Sequence, residues 1–125
     1  MSNTAYATEL SPAHHLSVEL VQDPQMLEAA QALRYQVFSE ECGAQLSNIG
    51  SGLDQDAFDL HCEHLVVRDL RSGEVVATTR LLDSQAARRA GGFYSEGEFQ
   101  LVGLPQLRGS ILEIGRTCVH ARYRN

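Results

Sequence analysis

Cys62-Glu-His-Leu-Val-Val-Arg-Asp69, then Arg71-Ser-Gly-Glu74, then Val75-Val-Ala-Thr-Thr-Arg-Leu-Leu82 is the stretch on which the fold turns. Two runs rich in β-branched residues flank a short polar segment containing glycine. That pattern predicts an antiparallel hairpin, with strands over 62–69 and 74–82. Upstream, Leu16-Ser-Val-Glu-Leu-Val21 alternates apolar and polar residues and reads as a half-buried strand. Asp23-Pro24 then starts a helix, with aspartate as the cap and proline in the first turn. The helix is expected to run to about Phe38 or Glu41. Downstream, Ser84–Arg89 reads as a short helix closed by Gly91-Gly92, and 93–101 reads as loop or irregular helix. Residues 102–109 read as loop, and Ile111 to His120 as a last strand. A helix early and antiparallel strands after it make an α+β domain. Four strands and one good helix leave one face of the sheet poorly covered.

At 125 residues a single domain is expected, large enough to bury a core. Residues 1–15 are polar and small, a disordered arm, and the domain proper occupies 16–125. No apolar run nears the roughly eighteen residues of a spanning helix, and the N-terminus lacks the pattern of a secretory signal. The cytoplasm is the expected location, with peripheral membrane association left open. Three cysteines at wide spacing (Cys42, Cys62, Cys118) argue against a disulfide framework.

Net charge is −6, unevenly spread. Residues 1–63 carry −9 and residues 64–125 carry +3, and every basic residue is Arg. With no basic stripe and an acidic total, nucleic-acid binding is not expected. His61-Cys62-x-His64 lacks a second ligand cluster nearby, so no metal site is expected. Cys118 and His120 share a strand face, but neighbours of this kind rarely present their heads to each other as a nucleophile–base pair needs.

Other positions point to chemistry. On the early helix, Met26, Leu27, Ala30, Leu33, Val37 and Phe38 fall within an arc of roughly 140° at 100° per residue. Arg34 lies inside that arc. It either snorkels to water from the stripe's edge or aims its guanidinium into a cleft, with Phe38 one turn on. Asp54, Asp56 and Asp59 put three carboxylates in six residues of a loop spanning about 44–55 and its continuation. They either solubilise and cap that loop or meet a cation. Glu113 and Arg116 stand three apart, so a regular strand sends them to opposite faces. A bulge at Gly115 between them would bring both to one side.

Arg34-Tyr-x-x-Phe38, Asp54-x-Asp56-x-x-Asp59, Val75-Val-Ala-Thr-Thr-Arg-Leu-Leu82, Phe99 and Glu113-Ile-Gly-Arg116 together resemble the ornithine N-acyltransferases of the GNAT superfamily, which make lyso-ornithine lipid. His61-Cys-Glu-His64, Tyr94-Ser-Glu-Gly-Glu-Phe99 and Glu113-Ile-Gly-Arg-Thr-Cys-Val-His120 are similar in wording. The likeness covers about residues 17–125, and a more distant one is to acylhomoserine lactone synthases. The resemblance implies the N-terminal half of a GNAT-type acyl-CoA N-acyltransferase fold, mostly antiparallel sheet with an N-terminal helix. It implies transfer of a 3-hydroxyacyl group from acyl carrier protein, as a phosphopantetheine thioester, to the α-amino group of ornithine. No bound cofactor is implied. Glu113 is then base or ammonium binder, and Arg116 and Arg80 bind the amino acid's carboxylate. Asp54, Asp56 and Asp59 hold ornithine's cationic ends or tie down their loop through Arg34, and Phe38 and Phe99 complete the substrate site. The chain stops where the superfamily's donor-binding loop would begin, so a fragment with little or no activity of its own is expected, located in the cytoplasm or at the inner membrane's surface. The rival reading is a non-catalytic α+β module that pairs through the edge of its final strand.

Overall fold

The computed structural model describes residues 15–41, 43 and 51–124. The expected arm therefore lies outside the described residues except for His15. So do Cys42, residues 44–50 of the expected loop, and Asn125. Strand β1 (Leu16–Leu20) leads to helix α1 (Pro24–Tyr35), followed by a π-helical turn (Gln36–Glu41). A short 3-10 turn (Ala57–His61) precedes the hairpin of β2 (Glu63–Asp69) and β3 (Val75–Asp83). Helices α2 (Ser84–Ala90) and α3 (Tyr94–Glu98) follow, then β4 (Leu112–Val119). The four strands form one antiparallel sheet in the order β1-β2-β3-β4.

Local chemistry explains most boundaries. Asp23 Oδ1 accepts the Met26 amide at 2.8 Å, and Pro24 opens α1. Asp83 caps α2 in the same way through Ala86 N at 2.8 Å. Gly91 ends α2 at φ +93°, a conformation that a side chain would strain. The helix end expected near Glu41 is reached, but by a change to π-helical winding after Tyr35.

The sheet is covered on one side. The buried positions of β3, Val76, Thr78, Arg80 and Leu82, face α1 and α2. Two small apolar clusters form there. Leu33, Val37 and Cys118 pack with Phe38 and Val75, and Leu82, Ala86 and Ala87 pack with Phe58, Cys62 and Phe93. On the other side, register pairs Val18 with Val67, Leu20 with Leu65, and Leu81 with Ile114. Residues opposite one another share a face. Val18 is 70% exposed and Ile114 64%, so the open apolar face expected from the element count is present among the described residues.

The β3–β4 pairing carries the feature that matters most for the site. Arg80 faces Gly115 and Leu82 faces Glu113, but Thr78 faces Cys118, so one extra residue sits in β4 opposite Thr79. Arg116 there takes φ +50°, the one non-glycine with positive φ among the described residues. A bulge was expected at Gly115; it falls one residue later. Thr79 Oγ1 braces it, donating to Gly115 O at 3.1 Å and lying 2.7 Å from Thr117 Oγ1.

Candidate substrate-binding cleft

The site begins with three buried or half-buried arginines and three aspartates. Arg34 is 1% exposed, so it does not snorkel to water as one of the two sequence readings had it. Its Nε donates to Asp54 Oδ2 at 3.2 Å, and its Nη2 to Asp59 Oδ2 at 2.8 Å and to Asp54 O at 2.5 Å. Arg80 Nη1 donates to Asp56 Oδ1 at 2.7 Å and to Asp59 Oδ1 at 2.8 Å. Arg116 is held more loosely, with Nη2 3.4 Å from Asp56 Oδ2 and Nε 3.7 Å from Asp54 Oδ2. Asp59 is the hub: Gln31 Nε2 also donates to it at 2.9 Å, and its backbone carbonyl meets His64 Nε2 at 3.0 Å. Three guanidinium groups thus meet three carboxylates. Burying any of these charges without a partner would be costly, and the pairing offsets part of that cost, although Arg34 Nη1 and Arg116 Nε are buried without a hydrogen-bond partner among the described residues.

The titration behaviour follows. Burial alone would push the Asp59 carboxyl up, but hydrogen bonds and charge from Arg34 and Arg80, with Gln31, hold it below the ordinary 3.8. Asp56 is likewise lowered, burial being outweighed chiefly by Arg80. Arg80 is raised further by Asp56 and Asp59 against the opposing effect of burial. Burial pushes the thiols of Cys62 and Cys118 up to about 11. Cys118 packs against Leu33 and Val37, and His120 Nδ1 accepts the Arg122 amide at 3.0 Å, so the two are not set as nucleophile and base.

Above this network opens a small cleft of about 130 Å³, below the roughly 300–1,000 Å³ of sites for drug-sized ligands. Phe58, Cys62, Arg80, Tyr94, Glu113 and Arg116 contribute to its walls. The bulge at Arg116 is what turns its side chain to the same side as Glu113. Aromatic rings line the guanidinium groups. Arg116 lies 5.9 Å from the Phe38 ring centroid and 5.5 Å from that of Tyr94, and Arg80 lies 5.7 Å from Phe58 and 5.4 Å from Tyr94. These separations are within cation–π range.

Glu113 does not reach the arginines by any hydrogen bond that the structure contains. Its Oε1 accepts the Tyr94 amide at 2.8 Å and its Oε2 the Ser95 amide at 2.8 Å, with a further short bond from Ser95 Oγ. It therefore fastens the start of α3 to β4.

Of the residues singled out in the sequence, the structure brings Arg80, Glu113 and Arg116 together in the cleft. Arg34, Asp54 and Asp59 are buried beneath it, and Asp56 is 22% exposed at its side chain beside Arg116. Phe38 backs Arg116 from the apolar side. Phe99 stands at the end of α3, 69% exposed, and does not line the cleft. Phe58, Tyr94 and Ser95 were not singled out as site residues. A hydrophobic residue between two aspartates and a tyrosine after Gly-Gly-Phe carry no signal of their own, because their roles arise from which arginines the sheet brings beneath them. Gln31 was missed for the same reason.

A family model described as Acetyltransferase (GNAT) domain matches residues 33–125. The chain is 39% identical over 121 residues to a protein of Brucella abortus (strain 2308) named L-ornithine N(alpha)-acyltransferase, covering 88% of this chain and 42% of that relative. A protein of Rhodobacter capsulatus with the same name is 40% identical over 114 residues, covering 86% of this chain and 44% of the relative. The chain thus spans less than half the length of these relatives. A solved structure, "Crystal structure of TofI in a ternary complex with an inhibitor and MTA", superposes with a TM-score of 0.54 at 21% identity over 82% of this chain and 56% of that one. At that identity the likeness shows the fold.

Proposed function

The chain belongs to the acetyltransferase (GNAT) domain family, and from that premise we propose that its cleft receives ornithine for acylation of the α-amino group. The proposed donor is a 3-hydroxyacyl thioester on the phosphopantetheine of acyl carrier protein, and the product is lyso-ornithine lipid. The observation that carries the reading is the β4 bulge, which sets Arg116 and Glu113 on one wall of the same cleft. Similarity to L-ornithine N(alpha)-acyltransferases supports the choice of amine.

The residues divide the work by how occupied they are. Arg116 has only long ion pairs, and its guanidinium fork suits a carboxylate. It is the proposed anchor for the α-carboxylate of ornithine. Arg80 has both contacts of its Nη1 committed to aspartates and is 4% exposed, so it adds positive charge from behind. Asp54, Asp56 and Asp59 hold the arginines, with Arg34 and Phe38 completing the support. Glu113 supplies the negative wall against which the substrate's ammonium sits. In the transfer, the neutral amine attacks the thioester carbonyl, a C–N bond forms, the C–S bond breaks and the thiol stays on the carrier. The proton lost by the amine passes to a carboxylate or to water that it holds, and from there to the departing thiolate, giving the free thiol. Glu113 suits the ammonium-binding role better than the base role, because its two oxygens already accept three hydrogen bonds. No helix among the described residues is long and apolar enough to cross a membrane. A place in the cytoplasm, free or at the inner membrane's surface, belongs to the same proposal.

The test is calorimetric titration with L-ornithine, followed by incubation with 3-hydroxyacyl–acyl carrier protein and mass spectrometry of the products. Binding of ornithine, with any product acylated at the α-nitrogen, is the expected result. Absence of ornithine binding overturns the reading.

A further inference from the structure

Tyr94 has no part in the reading above, yet its contacts place it at the centre of the cleft. Its ring lies 5.4 Å from the Arg80 guanidinium and 5.5 Å from that of Arg116. It meets Phe58 edge-on at 5.4 Å. The backbone at Tyr94 and Ser95 is fixed to Glu113 by two amide hydrogen bonds of 2.8 Å and by the Ser95 hydroxyl. The first residue of α3 is therefore tied by its main chain to one strand residue and by its ring to two others.

We propose that Tyr94 is a positioning residue that sets Arg116 for the substrate's carboxylate, and that Glu113 and Ser95 hold the ring in place. The inference rests on the reading of the cleft as an amino-acid site. Arg116 needs such support, because its backbone is in the left-handed region and its ion pairs are long. A guanidinium held this loosely has several rotamers, and each costs affinity when it must be abandoned on binding. Two aromatic rings beside it, Phe38 at 5.9 Å and Tyr94 at 5.5 Å, narrow that choice without taking up its hydrogen-bond donors. Of the two rings, only Tyr94 also borders the cleft. The ring alone is required, since its hydroxyl has no hydrogen bond among the described residues.

Selectivity separates positioning from general damage. L-Ornithine and 1,4-diaminobutane, which is ornithine without its carboxylate, are titrated calorimetrically into the wild-type chain and its Tyr94→Leu, Tyr94→Phe and Ser95→Ala variants. Tyr94→Leu is expected to weaken ornithine about tenfold more than it weakens the diamine. Tyr94→Phe is expected to rescue ornithine affinity to within about twofold. Ser95→Ala, which loosens the tie to Glu113 without touching the core, is expected to give a smaller loss of the same selectivity, and it carries the test should Tyr94→Leu not fold. Equal losses for both ligands, or unchanged ornithine affinity in Tyr94→Leu and Ser95→Ala, overturn the inference and leave the ornithine reading standing. A wild-type chain that binds no ornithine removes both.

Discussion

Arg34 lies on the apolar stripe of α1, 1% exposed, with Asp54 and Asp59 for partners. Removing it leaves Asp54 with only the long pair to Arg116 and takes from Asp59 one of its two arginines, and breaking a buried pair costs about 3–5 kcal/mol. Arg34→Leu is therefore expected to lower the urea midpoint sharply, even though leucine suits the stripe better by pattern. The sequence showed Arg34 out of place but left open what it does. Its answer lay twenty residues away, in the aspartate loop that the resemblance gave it as one of two alternatives and that the fold brings under the helix. Glu113 and Arg116 were more legible. Their odd spacing meant that a shared face needed a bulge at Gly115, and the bulge is present one residue later, with Arg116 in the positive-φ conformation. Glycine is the usual occupant of that conformation. Here the neighbouring carboxylates and rings hold an arginine in it, a strain of order 1–3 kcal/mol that marks functional positions. The thiols give a separate check at this scale. With Cys62 and Cys118 pushed up to about 11 from an ordinary 9.0, each is expected to alkylate about 100-fold more slowly at pH 7.5 than a free thiol in the unfolded chain. Peptide mapping after timed iodoacetamide treatment reads those rates; labelling of both at the unfolded rate would contradict the burial described.

Among the elements, those defined by local rules were legible and those defined by distant contacts were not. The β2–β3 hairpin, the Asp23-Pro24 start of α1 and the Gly91 stop of α2 each rest on residues within a few positions of one another. The π-helical turn over Gln36–Glu41 has no such local signal. It places Val37 and Phe38 against Cys118 and Val75, so tertiary packing settles its winding. Two substitutions probe α1. Asp23→Ala is expected to cost about 1 kcal/mol through the lost cap. Leu33→Ala is expected to cost about 2–5 kcal/mol, because it opens a cavity where α1 meets the sheet. Chemical denaturation of both variants gives the comparison, and a larger loss at Asp23 than at Leu33 would contradict the view that packing, not capping, holds the helix.

For the molecule as a whole, the ionic network sets the response to acid. Asp56 and Asp59 have folded-state pKa values below the ordinary 3.8. Their contribution to stability is present above that value and is lost as pH falls through it toward the lowered values, because the unfolded chain takes up protons first. Urea midpoints are expected to be level near neutral pH and to drop below about pH 4, less steeply in Arg34→Leu. A midpoint that rises on acidification would contradict the pairing. The open sheet face is the other global feature. Val18 and Leu20 on one edge strand and Leu112 and Ile114 on the other are all exposed. That face was legible from the count of helices against strands, whereas the cleft was not, since its walls come from β3, β4, α3 and the 3-10 turn together. The most direct measurement is calorimetric titration of L-ornithine into the wild-type chain and Arg116→Ala. The account predicts that the wild-type chain binds and that the variant loses at least about tenfold in affinity. Equal binding by both, or none by the wild type, would contradict it.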